Sequence, residues 1–196
     1  CKSAGTTGHP KIYPITEKFK REFQLVNKPF AYHLASINKN IFKKKLVYFA
    51  GSLPAEKNEA GVSIGLISAF NYANIPKLFK VKYALPIEVY QSRDIFFKWG
   101  PLYALAEDVS TFISITPSII ERFFLHIKEN RQFYVDQINT PNLPQNFPSL
   151  SVSVQRKSYL LKVLCVSNFS MQQLWPNLDL LVCWKTSTCG LQLNNL

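Results

Sequence analysis

The stretch VSTFISI at residues 109–115, followed at once by TPSIIERFFLHIKEN at residues 116–130, decides the fold class of this chain. The first part is rich in β-branched and aromatic residues and alternates loosely, which predicts a strand. Thr116 suits a helix N-cap and Pro117 suits the first helical position, so a helix is predicted directly after the strand. A strand that passes straight into a long helix is typical of α/β proteins. The apolar stripe of the predicted helix consists of Ile120, Phe124, Ile127, Tyr134 and Ile138.

Strands and helices also alternate on both sides of this stretch. The run Leu46–Ala50, ended by Gly51, predicts a buried strand, and Leu178–Trp184 predicts the last strand. One helix is predicted from Asp94, as its N-cap, to Ala106, and another over Arg156–Val166. The residues of the first of these helices that are predicted to face inward are Phe97, Leu102 and Leu105. The predicted fold class is therefore α/β, a layered arrangement of sheet and helices with some parallel pairing, within one domain.

An amphipathic helix is predicted near the N-terminus, after a polar loop. Thr16 suits its N-cap. Apolar residues recur at steps of three and four and define one face: Phe19, Phe23, Val26, Phe30, Leu34 and Ile37. Pro29 falls within this pattern, so a kink or a break is predicted near Lys28. Residues 61–68 are compatible with either a strand or a helix, and the proline-rich segment 139–150 is predicted to be a loop.

Composition narrows the class of protein. The chain has 196 residues, of which 47% are hydrophobic and 18% are charged, as in a globular domain rather than a disordered chain. It carries 23 Lys and Arg against 12 Asp and Glu, a net charge of +11, which favours anionic partners such as nucleic acid, nucleotide phosphates or a membrane surface. No apolar stretch reaches the roughly 18 residues that a transmembrane helix needs.

The cysteines argue against two classes of small protein. They stand at positions 1, 165, 183 and 189 and form no CxxC pair. This spacing fits neither a zinc ribbon nor a dense disulfide framework. It favours reduced thiols, and therefore the cytoplasm as the compartment.

The segment SAGTTGHPK at residues 3–11 is the most informative for function. Its residues that suit phosphate binding are Ser3, Gly5, Thr6, Thr7, Gly8 and Lys11. The glycines allow backbone amides to approach an anion closely, the hydroxyls add hydrogen-bond donors, and the lysine adds a mobile positive charge. The segment is not a Walker loop, because it lacks the Gly-Lys-Ser/Thr ending. Taken alone, it is also compatible with an ordinary polar surface loop.

This segment resembles the phosphate-binding loop of the adenylate-forming enzymes, which include acyl-CoA synthetases and luciferases. Ala4 stands where that loop usually has Ser or Gly. The residues KIYPIT at 11–16 are similar to the Lys-x-Ile-Pro-x-Thr of the auxin-responsive acyl acid amido synthetases, the Gretchen Hagen family. Further short motifs of that family follow in the same order: Tyr48–Ser52, Gly61–Gly65, Tyr83–Pro86, Glu107–Val109, Thr116–Ser118, Leu174–Leu178 and Cys183–Trp184. The resemblance covers essentially the whole chain.

The resemblance implies an ATP-dependent ligase. In such an enzyme a carboxylic acid attacks the α-phosphate of ATP to give an acyl-adenylate and pyrophosphate, and an amine, typically of an amino acid, then forms an amide. The implied cofactors are ATP and Mg²⁺. The residues implied to hold the β- and γ-phosphates are Ser3, Thr6, Thr7, Gly8 and Lys11, with Gly5 in the same loop. Catalysis of adenylyl transfer consists mostly of positioning and charge stabilisation.

The resemblance also implies elements that these residues do not contain. They are a Tyr-x-Ser-Ser-Glu-like motif for the acyl group and nucleotide, a Tyr-Arg-x-Gly-Asp-like motif for the ribose, and a small C-terminal domain. The chain begins with Cys1 rather than Met, and no clear terminal element follows Gly190. We therefore expect residues 1–196 to form part of the N-terminal, large domain of a longer protein, truncated at both ends.

Other functional interpretations remain open. Lys39 and Lys43–Lys45 form the sharpest basic cluster, which suits either a nucleic-acid-binding module or, as we favour, the solvated end of a helix. Glu107–Asp108 is either a metal-binding pair or, as we favour, a solvated turn. The isolated histidines, interpreted as surface or packing residues, are His9, His33 and His126. Neither nucleic acid nor a membrane is therefore the expected partner. Besides a ligase fragment and a nucleic-acid-binding module, the third interpretation of the chain is an inactive truncated remnant.

Overall fold

The computed structural model describes residues 1, 11–37, 39, 41, 43–54, 56–185 and 189–190. The strands are β1 (Lys45–Tyr48), β2 (Glu56–Lys57), β3 (Ser63–Ile64), β4 (Val109–Ile113) and β5 (Leu180–Val182). The helices are α1 (Glu17–Ile37), α2 (Ile67–Ala73), α3 (Lys77–Lys80), α4 (Arg93–Ala106), α5 (Pro117–Glu129), α6 (Arg131–Asn139), α7 (Val154–Cys165) and α8 (Met171–Leu174). A 3₁₀ turn over Ile87–Tyr90 precedes α4.

The sheet that organises these elements is parallel, as predicted. Its strand order is β1-β4-β5, and both pairings are parallel. Parallel neighbours require crossover connections, which α2–α4 supply between β1 and β4, and α5–α8 supply between β4 and β5. The outer edge of β1 is paired as well, because Leu46 N donates to Lys82 O at 2.7 Å and Ala84 N donates to Leu46 O at 2.8 Å. Strands β2 and β3 form a separate antiparallel hairpin.

Helix α4 is the central helix of the fold and is buried along most of its length. Phe97, Leu102 and Leu105 face inward as predicted. The prediction that Asp94 caps this helix is wrong, because Ser92 has the extended backbone of an N-cap and its Oγ accepts from Ile95 N at 3.2 Å. Asp94 lies in the first turn instead, where a carboxylate complements the helix dipole.

The helix predicted after Thr116 is two helices. Helix α5 begins at Pro117 as predicted, but the non-helical backbone of Asn130 separates it from α6. Four residues of the predicted stripe are buried: Ile120, Ile127, Tyr134 and Ile138. The fifth position is wrong by one residue, since Phe123 is buried and Phe124 is only half-buried. The non-helical Asn130 interrupts the helical periodicity between the two helices, so one continuous stripe does not describe both.

Helix α1 confirms the predicted N-cap and excludes the predicted break. Thr16 caps it, because Phe19 N donates to Thr16 Oγ1 at 3.1 Å. Of the two alternatives near Lys28, a break is wrong, since the helix continues through Pro29 to Ile37, and a kink stays a prediction. This part of the helix is exposed, so water can hydrate the carbonyl that lacks a donor. The apolar face is also not buried as a whole: Leu34 is buried against Ile41 and Leu46, whereas the exposed members of the face are Val26, Phe30 and Ile37.

The other predicted segments differ from the structure mainly in their bounds. Residues 61–68 contain both alternatives, since β3 lies within them and α2 begins at Ile67. Residues 140–150 lack helix and strand, as predicted. The helix predicted at Arg156 begins two residues earlier, and β5 is shorter than the predicted run. Within the described residues, no helix has both the length and the apolar character that crossing a bilayer requires.

Candidate functional site

The carboxyl ends of β1, β4 and β5 lie at one edge of the sheet, because all three strands are parallel. The segments that leave this edge are Phe49–Ser52, Ser114–Ser118 and Cys183–Trp184, and we call them the carboxyl edge. In open parallel sheets, ligands bind outside this edge. Three of the motifs that the sequence singled out, namely Tyr48–Ser52, Thr116–Ser118 and Cys183–Trp184, therefore meet where the fold favours a ligand.

Backbone hydrogen bonds join the three segments of the carboxyl edge. Phe49 N donates to Ile113 O at 2.8 Å, Ser114 N donates to Val182 O at 2.8 Å, and Trp184 N donates to Ile115 O at 3.1 Å. Each chain segment is therefore held to its neighbour beyond the end of its strand. The Ser114 Oγ donates to Thr116 O at 2.8 Å, which fixes the entry to α5. The Trp184 side chain is 65% exposed and remains available for contacts at this edge.

The segment after β1 is held from the other side by residues of α2 and of the 3₁₀ turn. Gly51 N donates to Ser68 Oγ at 3.0 Å, and Leu53 N donates to Tyr90 O at 2.6 Å. A side chain at position 51 would place its Cβ 2.3 Å from Leu66 Cδ1, so glycine permits this close approach. Leu66 and Ser68, which follow the motif Gly61–Gly65, therefore contact the motif Tyr48–Ser52.

Cys1 and Tyr13, which flank the predicted phosphate-binding segment, are hydrogen-bonded to each other. The N-terminal amine of Cys1 donates to Tyr13 O at 2.6 Å, and Tyr13 N donates to Cys1 O at 2.7 Å. Of the predicted site residues, Lys11 is exposed. The others lie outside the described residues: Ser3, Gly5, Thr6, Thr7 and Gly8. The two reciprocal hydrogen bonds fix the two ends of the segment relative to each other.

The opposite, amino edge of the sheet carries a charge network. The Lys44 ammonium forms an ion pair with the Asp108 carboxylate, and Lys45 Nζ lies 3.5 Å from Glu107 Oε1. Asn177 Nδ2 donates to both Asp108 oxygens, at 2.9 and 3.1 Å. The motifs Glu107–Val109 and Leu174–Leu178 therefore meet at the edge away from the expected ligand, where they hold the fold together.

This network shows which groups the two charged motifs contact. Glu107 and Asp108 each lie beside a lysine, so both carboxylates take part in ion pairs of the fold. Among the residues that the structure describes, no group of three side chains suited to a metal ion occurs. The prediction of a solvated helix end for the basic cluster is wrong for Lys44 and Lys45, because α1 ends at Ile37 and Lys45 begins β1. Pairing with carboxylates also removes much of the positive charge that a nucleic-acid surface would use.

The pKa of Asp108 reflects this environment. Its partial burial acts to raise the pKa, but hydrogen bonds from Lys44 and Asn177 and the positive charges of Lys44 and Arg156 outweigh that effect. The pKa of the Asp108 carboxyl is therefore held below its usual value. The carboxylate stays ionised, and the ion pair persists, at neutral pH.

A cluster of tyrosines beneath the carboxyl edge was not predicted as part of the site. The hydroxyl of Tyr90 donates to Tyr48 O, and that of Tyr72 donates to Leu85 O. The Tyr72 and Tyr90 ring centroids are 4.5 Å apart. Burial raises the pKa of each of these phenols, so they act as neutral hydrogen-bond donors. The hydrogen bonds of this cluster hold the motifs Tyr48–Ser52 and Tyr83–Pro86 in place. The tyrosine at the start of each motif is the sequence feature from which the cluster could have been predicted.

The histidines occupy the positions expected of packing and surface residues. His126 Nδ1 lies 2.9 Å from Tyr134 Oη, and the Tyr134 hydroxyl is also within 3.2 Å of the Phe97 and Lys98 carbonyl oxygens. Burial lowers the pKa of His126. His33 is exposed on α1, and His9 lies outside the described residues.

Comparison with solved structures defines the class of this fold. The structure of a GH3.15 acyl acid amido synthetase matches with a TM-score of 0.75 and 14% identity, over 96% of this chain and 35% of the other. The structure of AtGH3.15 acyl acid amido synthetase in complex with 2,4-DB matches with a TM-score of 0.73 and 14% identity, over 96% of this chain and 36% of the other. The α/β architecture is thus shared with part of these two solved structures, and the chain spans about a third of their length.

The family follows from a sequence match over the whole chain. The profile described as the GH3 family N-terminal domain matches residues 1–196. The chain belongs to the GH3 family. A comparison with curated proteins finds no match. The family and fold class that the sequence motifs predicted are both confirmed.

Proposed function

We propose that residues 1–196 are the phosphate-binding part of an ATP-dependent ligase, which activates a carboxylic acid as acyl-AMP and joins it to an amine such as an amino acid. The observation that carries this proposal is the GH3 family match over residues 1–196, which includes the loop motif at residues 3–11. The cytoplasm is the expected compartment, because the described cysteines are free thiols.

The proposed phosphate site is the loop with its terminal lysine. Its residues are Ser3, Gly5, Thr6, Thr7, Gly8 and Lys11. The hydrogen bonds between Cys1 and Tyr13 support this assignment, because a loop with a fixed base reduces the conformational entropy lost on binding. Exposure of Lys11 also supports it, since an exposed lysine side chain is accessible to an anionic ligand.

The carboxyl edge is the proposed position of the nucleotide and the activated acid, as expected for an open parallel sheet. There the acid carboxylate would attack the α-phosphate and release pyrophosphate, and the amine would then displace AMP. The contribution of this chain is to orient the phosphates and to offset their charge. Mg²⁺ is proposed to enter as the Mg–ATP substrate, and no residue among those described is assigned as its ligand.

Binding of a non-hydrolysable ATP analogue to this chain, measured by titration calorimetry, tests the proposal. We expect Lys11→Ala and Thr7→Ala each to remove one contact to phosphate, which costs about 1.5 to 3 kcal/mol and weakens binding about tenfold or more. The matched control is Lys43→Ala, an exposed lysine of the basic cluster, which loses the same charge elsewhere. If the control weakens binding as much as Lys11→Ala, the overall positive charge and not the loop binds ATP, and the site assignment fails.

A further inference from the structure

A cationic cleft lies between α4, α5 and the start of α6, and its lining shares no residue with the loop or with the carboxyl edge. It encloses about 520 Å³. Its charged and aromatic lining includes Arg93, Asp94, Phe97, Lys98, Arg122 and Phe133. These residues are not among those of the proposed phosphate site.

The cations in the lining of this cleft outnumber its carboxylates. In the part of the chain that the structure describes, Arg93, Lys98 and Arg122 form no ion pair. Asp94 is the one acidic residue in the lining. With His126 neutral, the cleft therefore carries an excess of two positive charges.

Aromatic rings hold these cations in place. The guanidinium carbons of Arg93 and Arg122 lie 5.8 and 5.1 Å from the centroid of the Phe97 ring. The Phe97 side chain is itself buried, which makes it a fixed support. Lys98 Nζ lies 5.6 Å from the centroid of the Phe133 ring. Two guanidinium groups and the Lys98 ammonium therefore face one cleft, where a bound anion would be attracted by all three.

We propose that this cleft binds a phosphate monoester, a small molecule that carries a terminal phosphate group. Arginine presents a planar set of donors that matches phosphate oxygens in pairs, and two arginines lie over the same ring here. The excess charge of the cleft equals the double negative charge that a phosphate monoester approaches at neutral pH. A nucleotide and a phosphorylated metabolite share this chemistry. The proposal does not depend on the proposed ligase activity.

Titration calorimetry of the 196-residue chain with phenyl phosphate tests the cleft directly. We expect saturable binding to one site, weakened about tenfold or more by Arg93→Gln and by Arg122→Gln. Arg122→Lys keeps the charge but loses the paired donors, so intermediate binding is expected. The matched control is Arg21→Gln, an exposed arginine on α1, which is expected to bind as the unmodified chain does. Melting temperatures verify that each variant is folded.

Several results would overturn the proposal. One is the absence of phenyl phosphate binding, and another is an equal loss in the Arg21→Gln control. Binding that is lost in Lys11→Ala but kept in Arg122→Gln would place the phosphate in the loop. Binding that is kept in Lys11→Ala but lost in Arg122→Gln supports the cleft as a site separate from the loop. Binding of random duplex DNA through Arg93 and Arg122, without binding of phenyl phosphate, would assign the cleft to nucleic acid instead.

Discussion

The indole Nε1 of Trp175 donates a 2.8 Å hydrogen bond to the carbonyl oxygen of Ala104, and both residues are fully buried. This bond ties the segment before β5 to the last turn of α4, 71 residues earlier in the chain. The Trp175 ring also packs edge-on against Phe112 of β4, with the centroids 5.1 Å apart. Trp175 therefore holds the end of α4 against β4 of the sheet.

Substitution of Trp175 should destabilise the domain in two distinguishable steps. Trp175→Phe keeps much of the packing but removes the donor, at an expected cost of about 1 to 3 kcal/mol in the free energy of unfolding. Trp175→Ala also leaves a cavity and should cost about 3 to 5 kcal/mol. Urea denaturation measures both. The exposed Trp184 serves as the control, since Trp184→Phe should change stability by less than about 0.5 kcal/mol.

Stability should fall in acid partly because of Asp108. Its pKa is lower in the folded protein than its ordinary value of 3.8, so its stabilising effect is complete above that value and is lost as the pH falls through the folded pKa. Asp108→Asn should therefore destabilise the domain at neutral pH, and the difference from the unmodified chain should shrink in acid. Urea denaturation over a pH series measures this. A difference that stays constant with pH would show that the carboxylate charge is not responsible.

The two adjacent phenylalanines of α5 should differ sharply in their effect on stability. Phe123 is fully buried, with its ring centroid 5.0 Å from that of Phe49, so Phe123→Ala should cost about 3 to 5 kcal/mol. Phe124 is half-buried and contacts Phe169 and Lys128, so Phe124→Ala should cost less than half as much. Thermal and urea unfolding of the Phe123→Ala and Phe124→Ala variants measure the two losses of stability. A larger effect at Phe124 would favour the stripe predicted from the sequence over the observed packing.

This chain alone should not release pyrophosphate from ATP in the presence of carboxylic acids. The acyl and ribose motifs that the family resemblance implies do not occur in residues 1–196. Orientation of the reacting groups can supply about 7 to 11 kcal/mol of a barrier, so its loss removes useful turnover. A pyrophosphate-release assay with a library of carboxylic acids checks this. Robust turnover would mean that the nucleotide and acyl contacts lie within these residues after all.

Local sequence signals predicted the elements well wherever the cause was local. The Thr16 cap and the start of α5 at Pro117 depend on residues within one turn, and both are confirmed. Two residues compete for the α4 cap, and Ser92 rather than Asp94 adopts the extended backbone. Pro29 remains inside a helix because that stretch faces solvent, which the sequence pattern cannot reveal.

By itself, the sequence determined the α/β class and the GH3 family, because alternation of strands with helices and short ordered motifs are properties of neighbouring residues. Only the tertiary structure decided which motifs meet. Lys44 pairs with Asp108, 64 residues later in the chain. This contact places the basic cluster and the motif Glu107–Val109 together at the amino edge, where their charges offset each other. Arg93 of α4 and Arg122 of α5 instead lie over the same ring, that of Phe97. Such encounters depend on parallel crossovers and helix packing, which bring together side chains whose spacing in the chain carries no periodic signal.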